Sequence, residues 1–158
     1  MRKLGMVVAV LELTLAMPVQ ADGVKSFFPQ KGLPRFIAKN WDLATFPSAV
    51  GPRLSPRQHS FATMGLKAKH VAREEYISLA DGDGLYMSIA IVKRGDFNHD
   101  GLEDVVVCES DHADYGHLDA TQPYFLTRYS ATTPVVAIAR DPQLAPGVCD
   151  WDPPRNQR

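Results

Sequence analysis

The chain's strongest constraint on fold is a pair of alternating apolar runs joined by four turn residues. Glu75 to Ala80 places Ile77 and Leu79 on one face and Tyr76 and Ser78 on the other. Leu85 to Lys93 repeats the alternation, with Leu85, Met87, Ile89 and Ile91 sharing a face. Between them lies Asp81-Gly82-Asp83-Gly84, a sequence suited to the positive φ angles of a tight hairpin. Three further runs read as strands: Val105 to Glu109, Pro123 to Tyr129 and Pro134 to Ala139, the last two joined by Ser130-Ala131-Thr132-Thr133. Short turns between successive strands imply an antiparallel meander of about five strands.

The segment from Asp22 to Pro56 is different. Pro29, Pro34, Pro47, Gly51 and Pro52 break any long period. Short helical turns are expected over 36–39 and 43–48, with Asn40 or Asp42 as the cap of the second. Phe27, Phe28, Phe36, Trp41 and Phe46 are too many aromatics to leave in water, and Trp41, Leu43 and Phe46 are the expected core anchors. The expected fold is therefore α+β and mainly β, a meander covered by an irregular N-terminal segment with short helical turns.

The chain has 158 residues, 45% hydrophobic and 22% charged, enough for one domain with a real core. Its net charge of −1 comes from 17 basic and 18 acidic residues. That balance argues against nucleic-acid binding and against a polybasic membrane contact. The first residues have the form of an export signal. Arg2 and Lys3 precede a mostly apolar stretch from Leu4 to Ala16, interrupted by Glu12, and Val19-Gln20-Ala21 supplies a small-residue cleavage pattern. The expected division is a signal peptide over 1–21, one globular domain over 22–152 and a flexible tail over 153–158. Cleavage moves the net charge from −1 to −2, and the mature part has no run long enough to span a bilayer. A periplasmic or secreted location is expected.

Cys108 and Cys149 are the only cysteines, and no Cys-x-x-Cys spacing exists. In an exported chain an even count favours a disulfide. Closing a loop of about 40 residues contributes roughly 4 kcal/mol in the chain-entropy account.

Between the second and third runs stands Gly95-Asp96-Phe97-Asn98-His99-Asp100-Gly101-Leu102-Glu103-Asp104. Oxygen-bearing side chains fall at Asp96, Asn98, Asp100 and Asp104, and Gly101 permits a sharp bend. Three carboxylates this close repel one another, and a divalent cation relieves the repulsion. The opening Asp-x-Asn-x-Asp-Gly is that of an EF-hand, but the twelfth position is Val107 instead of glutamate and the flanks read as strands. The loop resembles the calcium loops of FG-GAP and VCBS-type repeats, whose Gly-Asp-Phe-Asn-x-Asp-Gly-x-x-Asp signature Gly95 through Asp104 match. That resemblance implies calcium, with Asp96, Asn98, Asp100 and Asp104 as side-chain ligands and the Leu102 carbonyl as a backbone ligand. It reaches only the loop and the Val105-Val106-Val107 that follows. One loop in a chain this short cannot build a propeller ring, so the likeness carries over a site and local β-structure, not an adhesion function. As a whole the chain resembles small exported bacterial proteins with a single such loop. The alternative is an Asx-rich turn that satisfies its own backbone.

A second cluster follows: Asp111, His112, Asp114, Tyr115, His117 and Asp119. Two histidines beside carboxylates can hold zinc or act as acid and base, although the spacing matches no strong zinc motif. A solvated loop explains the same residues. Glu74 and Glu75 point to opposite faces of a strand, and His59-Ser60 lacks a nucleophile elbow. The expected function is thus a calcium-stabilised, disulfide-bonded binding or structural module of the envelope, with an unidentified envelope or extracellular partner. Its rivals are a small metal-dependent hydrolase built on His112 and His117, and an envelope inhibitor or immunity-type protein.

Overall fold

A computed structural model describes residues 23–46, 59–139, 148 and 149. The expected signal peptide, the end of the second helical turn at 47–48 and the tail at 153–158 lie outside the described residues.

Among the described residues the fold is mainly antiparallel β, with one helix and short 3₁₀ turns. Six strands form one sheet in sequential order: β1 (Lys67–Arg73), β2 (Tyr76–Ala80), β3 (Leu85–Gly95), β4 (Asp104–Ala113), β5 (Asp119–Thr127) and β6 (Val136–Ala139). The Asp81 to Gly84 hairpin forms as expected. The Asp81 carboxylate accepts the amides of Asp83 and Leu85 at 2.7 and 3.1 Å, while Gly82 and Gly84 take φ of 96° and 100°. The extra strand is β1. Its sequence, Lys-Ala-Lys-His-Val-Ala-Arg, lacks apolar alternation, and it forms an edge of the sheet. Strands β4 and β5 also run further than their apolar cores, extending to Ala113 and beginning at Asp119.

The helix α1 (Leu33–Asn40) starts on Pro34 near its first turn and buries Leu33, Pro34, Ile37 and Ala38. It is a full helix where a turn over 36–39 is expected from the sequence. Asp42 caps the 3₁₀ turn Leu43–Thr45 through the Ala44 amide at 3.0 Å, and Asn40 instead donates to the Phe36 carbonyl. These elements cover the inner sheet face, which carries Ile77, Leu79, Met87, Ile89, Val105, Val107, Tyr124 and Leu126. Trp41, completely buried, meets Phe61 and Tyr124 edge-on at 5.6 and 5.3 Å. Fully burying side chains of this kind contributes about 1.5–3 kcal/mol each.

The outer face is closed differently. Tyr76, Ala90 and Cys108 pack with Val92, Val148 and Cys149. Cys108 is disulfide-bonded to Cys149 across 41 positions, with Cα atoms 5.6 Å apart. The bridge holds residues 148 and 149 against the strand that leaves the acidic loop.

Candidate metal centre

The loop joins the end of β3 to the start of β4, so strand pairing fixes both of its ends: Gly95 lies opposite Asp104. Between them the backbone turns through two left-handed residues, His99 at φ 62° and Gly101 at φ 82°. Gly101 adopts this region without penalty, whereas His99 does so at a cost that the surrounding hydrogen bonds offset.

Asp96 is half-buried and accepts the amides of Asp100 at 3.1 Å and Gly101 at 2.9 Å. Asn98 Oδ1 accepts the Asp100 amide, and its side-chain amide donates to Asp100 Oδ2 at 3.0 Å. Asp100 Oδ1 accepts the Leu102 amide at 2.8 Å. Asp104, with 0% exposure, accepts the amides of Phe97 and Asn98 through Oδ2 at 3.0 and 3.3 Å. Its other oxygen, Oδ1, is buried and has no hydrogen-bond partner among the described residues. Burial pushes the Asp104 carboxyl pKa up, and the nearby Asp100 charge adds to this. The neighbouring Thr127 hydroxyl and the two amides pull it down. Phe97 crosses over Gly95, where a side chain would meet its ring at 3.4 Å, and packs against Phe125 at 5.6 Å.

The donor set is all oxygen, which suits a hard cation, and Oδ1 of Asp104 is buried without a hydrogen bond among the described residues. In the arrangement described, the carboxylates face backbone amides. No three His, Cys, Asp or Glu side chains converge closely enough to hold a metal among the described residues.

No family model, no curated protein and no solved structure matches the chain.

The base of the loop is clamped from outside. A bulge in β3 between Ile91 and Lys93 puts Arg94 opposite Val105, on the inner face. Its guanidinium grips Glu103 through Nε at 2.8 Å and a second nitrogen at 2.9 Å, and Ser26 donates to the same carboxylate. Hydrogen bonding from Arg94 holds the Glu103 carboxyl below the usual range despite partial burial.

The second cluster does not form one site. His112 and Asp114 are exposed and 3.6 Å apart, and Tyr86 donates to Asp114 at 3.1 Å. Tyr115, His117 and Asp119 are exposed as well. Strand alternation sends Asp111 to the opposite, inner face, beside Glu109. Glu109 ends an apolar run in the sequence, yet it is 1% exposed and its Oε1 is unpartnered among the described residues. The signal was its even spacing from Val105 and Val107.

Proposed function

We propose that the chain is an exported binding or structural module whose Asp96 to Asp104 loop takes up one calcium ion. Asp96, Asn98, Asp100 and Asp104 supply side-chain oxygens and Leu102 a carbonyl, in the manner of the FG-GAP and VCBS-type loops it resembles. The observation that carries the reading is the buried, unpartnered Oδ1 of Asp104 beneath a loop rich in carboxylates. An ion there offsets both the desolvation of Asp104 and the repulsion from Asp100. Calcium is preferred to magnesium because an irregular all-oxygen loop suits the larger, less directional ion, with affinity of about 0.1–1 mM as in extracellular modules.

Export is supported by the basic and apolar start of the sequence and by the Cys108–Cys149 disulfide, which persists in oxidising compartments. No helix among the described residues is long and apolar enough to cross a membrane. The loop shares β4 with Cys108, so ion and disulfide brace one strand from opposite ends of its apolar run. The role that follows is a structural clamp that keeps an envelope-facing surface ordered.

Thermal unfolding in millimolar calcium and in chelator tests the reading. Saturation at ten times the dissociation constant adds about 1.4 kcal/mol, which raises the midpoint by roughly 3–6 °C. Asp104→Asn and Asp96→Asn abolish the increment. Equal midpoints for the unaltered protein in calcium and chelator overturn the proposal.

A further inference from the structure

Lys25 forms a parallel bridge with Leu102. Its amide donates to the Gly101 carbonyl at 2.9 Å, and its carbonyl accepts the Glu103 amide at 2.9 Å. In this pattern Lys25 occupies the groups on either side of Leu102 and leaves Leu102's own N–H and C=O directed away from the N-terminal segment. The N–H demonstrates the direction, since it reaches Asp100 Oδ1 inside the loop. In an extended residue the carbonyl points to the same side as the amide. The Leu102 carbonyl is thus turned into the loop by a segment more than seventy positions away.

Neighbouring contacts hold that segment in place. Ser26 donates to Glu103, Phe27 carbonyl accepts from Arg128 at 2.7 Å, and Pro29 carbonyl accepts from Arg94 at 3.4 Å. Ser26 and Arg94 thereby engage Glu103, the one loop carboxylate that lies outside the expected ligand set, and Arg94 matches its charge.

We propose that Lys25, through its backbone, is a positioning residue of the cation loop, and that calcium uptake and docking of residues 25–29 are thermodynamically linked. The inference rests on the calcium reading above. Whatever sets the direction of the Leu102 carbonyl contributes to affinity, and by reciprocity a bound ion stabilises the docked segment.

The test combines calorimetric titration of the protein with calcium chloride and amide hydrogen exchange at Glu103. Lys25→Pro removes the N–H that meets Gly101, whereas Lys25→Ala keeps both backbone bonds. Loss of one such orienting bond is expected to weaken calcium binding by about tenfold in Lys25→Pro, with Lys25→Ala within about twofold of the parent. Calcium is expected to slow exchange of the Glu103 amide in the unaltered protein. Equal affinities for Lys25→Pro and Lys25→Ala, or a Glu103 amide indifferent to calcium, overturn the linkage while leaving the calcium site intact. Absence of calcium binding in the unaltered protein overturns both.

Discussion

Glu109 and Asp111 stand on the same face of β4, two positions apart, and neither makes an ion pair among the described residues. Their cross-strand neighbours are Met87, Ile89, Ala120 and Gln122, all uncharged. The charged residues of the covering helix, Arg35 and Lys39, are exposed. Burial pushes the Glu109 pKa well above its usual range, and Asp111 pushes it further. Burial raises Asp111 as well. A proton held by the pair relieves the repulsion between the two carboxylates.

The sign of the pH effect follows. The folded state holds this proton at pH values where the unfolded chain has released it, so the slope of stability against pH is negative. The pair's contribution is complete below the ordinary carboxylate range and is lost as pH rises through the raised pKa of Glu109. Glu109→Gln keeps the shape and removes the buried ionisable group. It is expected to flatten this slope and to raise stability at pH 8 by about 1–3 kcal/mol, read from urea unfolding at several pH values.

Arg94 and Glu103 give the opposite dependence. Hydrogen bonding to Arg94 lowers the Glu103 pKa, so their contribution is present above the ordinary carboxylate range and disappears as pH falls through the lowered value. The pair is bidentate and only partly exposed, at 26% and 14% for the two side chains. A double-mutant cycle with Arg94→Leu and Glu103→Gln is expected to yield a coupling of about 1–2 kcal/mol at pH 7. The coupling declines toward pH 3.

Reduction or replacement of the disulfide addresses the outer face. Cys108→Ala with Cys149→Ala releases a loop of 41 positions and is expected to lower stability by about 4 kcal/mol in the chain-entropy account. Because the bridge holds residues 148 and 149 over Tyr76 and Ala90, the same variant exposes that apolar contact. Faster amide exchange at Ala90 and Tyr76 than at Ile89 and Ile77 checks this.

Much of the architecture was readable in advance. The β2–β3 hairpin needs only alternation and a glycine-rich turn, both local properties of the chain. Pro34 and the short length mask the period of the helix, and packing of Leu33 and Ile37 supplies the missing stabilisation. β1 has no strand period in its sequence, and its pairing with β2 defines it. In the candidate site, the spacing from Asp96 to Asp104 fixed which oxygens surround the loop. It carried no information about Arg94 or Ser26 on Glu103, because those contacts join distant segments.

By itself the sequence determined the strand periods, the turn at Asp81 to Gly84 and the spacing of loop oxygens, since each depends on neighbours along the chain. The Cys108–Cys149 pairing belongs with them, there being no other cysteine to choose. Tertiary structure decided the rest. Only the folded sheet brings Lys25 against Leu102, buries one oxygen of Asp104 without a partner, and sends Asp111 inward to Glu109 while His112 faces out. These are consequences of register and coverage. A shift of one residue in β4 would exchange its two faces, and no local pattern reports which face the rest of the chain will cover.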